Sequence, residues 1–117
     1  MAFRANLLAW QWSDYAAKHQ ARGNLLIHIV AVPLFAAGLI CLVAGIAMTN
    51  WIWAAAGLAG ALLGFLAQGA GHGREPERPE PFVGAGDFAS RFLAEQFVTF
   101  PRFVLTGGWS ANLRRAR

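Results

Sequence analysis

The residues of this chain best suited to chemistry are its three histidines, His19, His28 and His72. Neutral imidazole binds iron, zinc and copper. Two carboxylates, Glu75 and Glu95, follow the last histidine and can return to it. Histidines that share a site with a carboxylate and leave positions open suit a non-haem Fe(II) centre that activates oxygen, and the same ligands can hold a hydrolytic zinc. The residue types therefore indicate a metal centre.

The histidines lie at or just inside the edges of a long segment without charge. Between Arg22 and Arg74 there are 51 consecutive residues without Asp, Glu, Lys or Arg, and all 16 formal charges lie outside them. About 20 apolar residues suffice to cross the hydrocarbon core of a membrane. Residues 48–50 are the only polar break in this segment, so we expect membrane-spanning helices at 25–48 and 51–70, joined as an antiparallel hairpin.

This hairpin predicts that two of the histidines meet. His28 and His72 are equally distant in sequence from Asn50, so they lie at matching depth near the open end. His19 precedes His28 by nine residues, which would place it on the opposite face of one straight helix. We expect a helix break at Gly23, which would let His19 fold back over the open end.

An amphipathic helix is predicted before the hairpin, and an extended loop after it. Over residues 4–22, apolar and aromatic side chains recur at helical spacing on one face. Residues 74–86 contain several prolines and two glycines, which disfavour helix. Asp87 then suits the N-cap of a second amphipathic helix at 88–100, which we expect Pro101 to end.

The predicted fold class is therefore all-α. Residues 1–117 would form a single integral membrane domain, a helical hairpin of two transmembrane helices. Amphipathic interfacial helices on its N- and C-terminal sides would surround the open end.

Charge and composition predict where this domain lies. Hydrophobic residues make up 56% of the chain, more than in an ordinary soluble domain. All ten cationic residues lie outside the hairpin turn, so the positive-inside rule places both termini in the cytoplasm of a multi-pass inner-membrane protein, with Asn50 outside. The same placement argues against nucleic acid as a partner. A signal peptide is disfavoured because a second apolar segment follows the first.

Small residues recur on both predicted spans. They are Ala37, Cys41 and Gly45 in the first span, and Gly60 and Gly64 in the second. Close packing of the two hairpin helices is the favoured interpretation, and a homo-oligomer contact is the alternative.

Motifs for other reaction classes are missing, while one spaced pattern is specific. The sequence has no Gly-rich phosphate loop, Cys-x-x-Cys or nucleophile elbow. The histidine region resembles the iron-dependent 2-hydroxy fatty acid dioxygenases of fatty-acid α-oxidation, and still more the small bacterial membrane proteins grouped with them. The resemblance is carried by Tyr15-x-x-x-His19-x-x-x-x-Asn24-x-x-x-His28-x-x-x-x-Pro33, by Gly71-His72-x-x-Glu75, and by a later stretch from Arg91 to Trp109.

The resemblance implies Fe(II) bound by the three histidines and removal of one carbon from a 2-hydroxy fatty acid with molecular oxygen. Tyr15, Asn24, Glu75 and Glu95 become candidates to support the ligands or to add one. We expect three-histidine ligation, with both glutamates buried nearby as hydrogen-bond partners of imidazole N–H groups or of arginine. The alternative is a non-catalytic lipid-binding or scaffold protein whose histidines are structural or bind zinc.

Overall fold

The computed structural model describes residues 3–116, whose regular secondary structure is all helical, with no strand. The all-α fold class is confirmed. Two long helices dominate, and a π-helical turn at Glu95–Thr99 joins the fourth helix to the fifth. The α-helices are α1 (Leu7–Ser13), α2 (Arg22–Ala47), α3 (Trp51–His72), α4 (Ala85–Ala94), α5 (Phe100–Leu105) and α6 (Gly108–Arg115).

Helices α2 and α3 form the hairpin that the charge-free segment predicts. The chain reverses at Asn50, whose backbone N–H donates to the Gly45 carbonyl at 2.7 Å and whose side chain accepts from the Trp53 N–H at 3.2 Å. At 1.5 Å per residue the two helices are about 39 and 33 Å long. Both are long and apolar enough to cross a membrane, judged by length and composition.

Glycines bring the backbones of α2 and α3 into direct contact. A Cβ atom at Gly38 would lie 2.5 Å from the Ala61 nitrogen, and one at Gly64 would lie 2.7 Å from the Ala31 carbonyl oxygen. Backbone atoms at these distances leave no room for any side chain. The hairpin therefore depends on glycine at these positions, and its close packing holds the open end in a fixed geometry.

The predicted contact residues are only partly right. Gly45 and Gly64 do lie against the opposite backbone. The Cys41 backbone also lies at the contact, 2.9 Å from a Cβ at Gly57, although this residue is exposed. The atom nearest to a Cβ at Gly60 is a Leu34 side-chain carbon at 3.5 Å. The glycines in tight contact recur every seven residues along each helix, whereas the predicted pairs were spaced by four. A seven-residue period keeps one face of each helix against its neighbour along the whole hairpin.

We expect Gly57→Ala to destabilise the hairpin by about 2 kcal/mol, because the new methyl group would press on the α2 backbone. A Cβ there would lie 2.5 Å from the Gly38 carbonyl oxygen. Gly60→Ala is the matched control, in the same helix but without a tight contact, and should be neutral or stabilising. Unfolding by SDS of the detergent-purified variants, followed by circular dichroism, measures both. Equal stabilities for the two variants would contradict the close contact.

The N-terminal helix is shorter than the predicted 4–22. Helix α1 ends at Ser13, turns follow, and Ala21 is extended (φ −69°, ψ 131°) before α2 begins. The predicted break at Gly23 is wrong, since Gly23 is the second residue of α2. Because Gly23 has no side chain, the Arg74 side chain can pack against it. A Cβ atom at this position would lie 2.8 Å from the Arg74 Nη1 atom.

The predicted end of the C-terminal helix at Pro101 is also wrong. The helix begins at Ala85, earlier than the predicted 88–100, and it passes through the π-helical turn into α5. In that turn the Phe100 N–H donates to the Glu95 carbonyl, five residues back. Proline lacks an N–H, and it is tolerated in the first turn of α5 because the hydrogen bonds there are already shifted.

Residues 73–84 connect α3 to α4 without helix, as the prolines indicate. Helix α6, which the sequence did not predict, folds back over the linker between α1 and α2. The Trp109 indole N–H donates to the Leu25 carbonyl at 2.8 Å, and the Asn112 amide donates to the His19 carbonyl at 2.8 Å. The C-terminal helix thereby fixes the backbone beside one histidine.

Candidate metal centre

The three histidines come together at the open end of the hairpin. His28 lies near the start of α2, His72 ends α3, and His19 comes from the linker. Their ring centroids are 4.8–5.1 Å apart. Glu95, the first residue of the π-helical turn, joins them, and one candidate ligand atom from each of the four residues lies within 4.8 Å of the others. This cluster could hold a metal ion.

Backbone carbonyls orient two of the rings. The Nδ1 atom of His19 lies 2.7 Å from the Tyr15 carbonyl oxygen, and Nδ1 of His28 lies 3.1 Å from the Asn24 carbonyl oxygen. A carbonyl oxygen only accepts, so each Nδ1 carries a proton, and in a neutral ring Nε2 keeps its lone pair. Both Nε2 atoms are therefore prepared as metal ligands, in the usual arrangement of a metal-binding histidine.

One nitrogen atom of each imidazole ring is also buried without a hydrogen bond. Within residues 3–116, Nε2 of His19, Nε2 of His28 and Nδ1 of His72 have no hydrogen-bond partner. His19 and His28 are only 3% and 0% exposed. Leaving buried polar atoms unpaired is costly, so such a group calls for an explanation. A bound metal ion would satisfy all three nitrogen atoms at once.

Glu95 supplies the negative charge of the cluster. Its Oε2 lies 3.3 Å from Nε2 of His19 and 3.6 Å from Nε2 of His28, and it accepts a hydrogen bond from the Tyr15 hydroxyl at 2.7 Å. Burial acts to raise the pKa of Glu95, but in the absence of a metal ion hydrogen bonds and positive charge from protonated His19 and His28 outweigh it and hold that pKa well below its usual range. Burial and the Glu95 charge together raise the pKa of Tyr15 well above its usual value. Glu95 is therefore a carboxylate and Tyr15 a phenol donor.

Glu75 is buried nearby, as the sequence predicts, but it does not support the imidazoles. Its carboxylate accepts from the backbone N–H groups of Gln20 at 2.8 Å and Ala21 at 3.1 Å, and from the Asn24 side-chain amide at 2.7 Å. The two backbone donors are the last residues of the linker, and Ala21 is the N-cap of α2, so Glu75 caps that helix at its N-cap residue. The turn after His72 directs the Glu75 side chain toward the linker and away from the rings.

Aromatic side chains enclose the cluster on the side of the helical core. The Tyr15 ring stacks on His19 with centroids 3.8 Å apart, and Phe103 contacts Tyr15 edge-on at 5.2 Å. Phe100 lies 5.8 Å from the His28 ring. Phe100 and Phe103 are 3% and 1% exposed, so water is excluded from this side and electrostatic interactions there are strengthened.

The other side of the cluster opens into a cavity of about 380 Å³. His19, His72 and Glu95 form part of its wall, whereas His28 does not. Most of the remaining wall is apolar, and it includes Phe65 and Phe92. The cluster thus has a closed side that fixes its ligands and an open side through which a small molecule can reach it.

A sequence model of the family described as 2-hydroxy-palmitic acid dioxygenase Mpo1-like matches residues 5–95, more than half of the chain. The chain belongs to the Mpo1-like family. This confirms the resemblance carried by the spaced histidines. No curated protein and no solved structure gives a significant match.

The segment shared with the Mpo1-like family contains every residue of the cluster. The match ends at Glu95, so α5 and α6 lie beyond it. Helix α5 nevertheless supplies the phenylalanines behind the rings, and α6 supplies the hydrogen bond to the His19 carbonyl. The family name indicates a relation to 2-hydroxy fatty acid dioxygenases.

Sequence reasoning missed the polar residues that position the π-helical turn. Gln96, beside Glu95, exchanges two hydrogen bonds with Gln68 of α3 at 2.9 and 2.8 Å, and both amides are 2% exposed. This pair fixes the turn that carries Glu95 against the hairpin. Gln68 is an isolated polar residue in an apolar span, four residues before His72. A polar residue at such a position could have indicated from the sequence that it has a buried partner near the site.

A second missed contact ties α4 to the proline-rich loop. The buried Arg91 guanidinium donates to Asp87 at 3.0 Å and to the Glu80 carbonyl at 2.6 Å. Asp87 also accepts from the Val83 N–H at 3.0 Å; it is the third residue of α4, whose N-cap is Gly84, so the predicted N-cap role of Asp87 is wrong. The Val83 hydrogen bond and the neighbouring arginines hold the pKa of Asp87 below its usual value. These contacts fix the loop that borders the cavity.

Proposed function

We propose that this Mpo1-like protein is a membrane-embedded Fe(II) dioxygenase that shortens 2-hydroxy fatty acids by one carbon. In this proposal His19, His28, His72 and Glu95 hold the metal, so a carboxylate is added to the three histidines expected from the sequence. The observation that carries the proposal is a buried, unpaired set of imidazole nitrogens beside a carboxylate, open to an apolar cavity. Histidine and carboxylate ligands with an open position are typical of non-haem iron oxygenases.

The proposed reaction balances without an outside reductant. A 2-hydroxy acid and one O₂ give a carboxylic acid one carbon shorter, one CO₂ and one water. The bond between C1 and C2 breaks, the substrate loses four electrons, and O₂ accepts them. Bound Fe(II) would supply the activation of O₂.

The protein's own groups have separate tasks in this proposal. The Tyr15 and Asn24 carbonyls fix the ring orientation of His19 and His28, so that both present Nε2. The Tyr15 hydroxyl holds Glu95 in place through one hydrogen bond. Phe100 and Phe103 keep water from the closed side of the site.

Metal analysis and turnover test the proposal together. Detergent-purified protein loaded anaerobically should retain about one Fe(II), which His28→Ala should lose. Incubation with 2-hydroxypalmitate under oxygen should yield the acid one carbon shorter, and the same incubation without oxygen should not. One equivalent of zinc, no iron uptake and no product would instead support the alternative of a non-catalytic protein with zinc-binding histidines.

We also propose that α2 and α3 span the inner membrane, with the metal centre at the cytoplasmic end. Large apolar side chains cover the outside of the hairpin, among them Val30, Ile40 and Leu63, which are 61–66% exposed. Soluble proteins rarely expose so continuous an apolar surface. Trp51 and Trp53 lie at the turn, where an aromatic belt would meet the outer interface.

Cysteine labelling tests this topology. In a Cys41→Ser background, Asn50→Cys should react with an impermeant maleimide added outside the cell, while Arg78→Cys in the exposed proline-rich loop should react only after the membrane is opened. The basis is that no cation lies at the turn. The reverse pattern would reject the orientation, and the same result at both sites, labelled from outside or protected, would reject a hairpin that spans the membrane.

A further inference from the structure

The cavity beside the metal cluster reaches the outer surface of the hairpin along one face of α3. His72, Gly69 and Leu66 follow each other at a spacing of three residues, and all three line the cavity. Gly69 is exposed and Leu66 is 64% exposed. Leu62, one turn further from the site, is 52% exposed on the same face. The cavity is thus continuous with the apolar surface that would face lipid.

Gly69 has no structural reason to be glycine. Within residues 3–116, a Cβ atom at Gly69 would meet nothing within 4 Å, whereas Gly57 and Gly64 abut the α2 backbone. Its φ is not positive, since among the described residues only Gly84 and Gly107 are glycines with positive φ. A glycine inside a helix is also destabilising relative to alanine. What Gly69 does provide is open space one turn from His72.

The cavity wall beside Gly69 is aromatic, and its rings contact one another. Phe65 lies 5.3 Å from Phe92 and 5.8 Å from Phe88, measured between ring centroids, and these rings join α3 to α4. Polar groups of the same cavity include His19 and its sequence neighbour Lys18. A cavity whose lining is mostly apolar, with polar groups at the metal cluster and along the neighbouring helices and loop, and with an opening on an apolar surface, fits an amphiphile with a single acyl chain.

We propose that the space over Gly69 is the groove through which the acyl chain of a 2-hydroxy fatty acid enters sideways from the bilayer. The carboxyl and hydroxyl end lies at the histidine cluster. The chain crosses Gly69 along the phenylalanine wall and continues over Leu66 into the lipid. Gly69 is then a specificity-determining residue, because any larger side chain occupies the path of the chain. This assignment of the substrate path rests on the proposed function.

The test uses Gly69→Leu, with Ala59→Leu as the matched control. Ala59 is exposed on α3 and does not line the cavity. Protein in nanodiscs is loaded with iron and irradiated with 2-hydroxypalmitate that carries a mid-chain diazirine. Crosslinks should map to α3 and α4 in the wild type and in Ala59→Leu, and unlabelled 2-hydroxypalmitate should compete with them. Gly69→Leu should crosslink at least about tenfold less at unchanged iron content.

Turnover measured on the same samples separates the two proposals. Loss of crosslinking in Gly69→Leu, with no shortened acid from any variant, would support the groove and reject the dioxygenase. Wild-type turnover of 2-hydroxypalmitate by Gly69→Leu would reject the groove and leave the dioxygenase standing. Competed crosslinks that map outside α3 and α4 would also reject the groove. If Gly69→Leu keeps its iron content, the protein is still folded, and the loss of crosslinking reports a loss of fatty-acid binding.

Discussion

His28→Ala is expected to abolish stoichiometric metal binding. Glu95→Gln is expected to lower the metal affinity by more than about 100-fold, which exceeds the loss expected when a residue that only supports a ligand is removed. The His28 ring is fully buried, and its Nε2 has no other partner in the described part of the chain. Glu95 carries the charge that a divalent ion would neutralise. Anaerobic Fe(II) titration against a competing chelator measures both affinities.

Tyr15→Phe gives the loss of metal affinity to expect when a residue that only supports a ligand is changed. The phenol touches Glu95 and does not belong to the cluster itself, so its loss should weaken metal binding by about 10–100-fold. Glu77→Gln, at an exposed position in the proline-rich loop, is the matched control for Glu95→Gln and should leave the affinity unchanged. If Glu95→Gln behaved like Tyr15→Phe, Glu95 would be a supporting residue and the three histidines alone would be the ligands.

Glu75→Gln is expected to lower the free energy of unfolding by about 3 kcal/mol, because charge-assisted hydrogen bonds to buried donors are lost. The Glu75 carboxylate accepts from two backbone N–H groups and the Asn24 amide, and it is 6% exposed. A glutamine offers one oxygen and turns an NH₂ group toward donors. The expected consequence is a frayed start of α2, with metal affinity little changed in the folded protein.

Chemical unfolding in detergent with bound metal removed isolates this effect from ligation. Glu77→Gln again serves as the control, since a substitution at this exposed position should fall within about 0.5 kcal/mol of wild type. A Glu75→Gln protein of normal stability but with metal affinity reduced by 10–100-fold would contradict the helix-capping role. It would return Glu75 to the role expected from the sequence, that of supporting an imidazole.

The sequence alone was sufficient for the hairpin and for the meeting of His28 with His72. A long apolar segment with one polar break favours two helices that pair as an antiparallel hairpin, and residues equally far from its turn then lie at the same level of that hairpin. The spacing of the histidines also indicated the family that the match over residues 5–95 confirms. The hairpin and the meeting of the two histidines needed only segment length, charge and the position of the turn, whereas the family came from the resemblance of the motif.

The location of the helix break required the tertiary structure. Gly23 is a reasonable breaker by propensity, yet the chain leaves the helix earlier, because Glu75 from beyond the hairpin binds the N–H groups at the start of α2. That contact joins residues 54 or 55 positions apart in the sequence. Local periodicity carries no signal for such a contact.

The choice of carboxylate was likewise decided in three dimensions. Glu75 is near His72 in sequence and Glu95 is not, yet Glu95 lies at the rings. A π-helical turn, with Pro101 just beyond it, places Glu95 there, while the Gln68–Gln96 pair fixes that turn to α3. Sequence determined which groups lie near the open end of the hairpin, because the length of the two helices and the position of the turn set the level of each residue. Tertiary structure decided which of them touch, because hydrogen bonds between distant segments set direction.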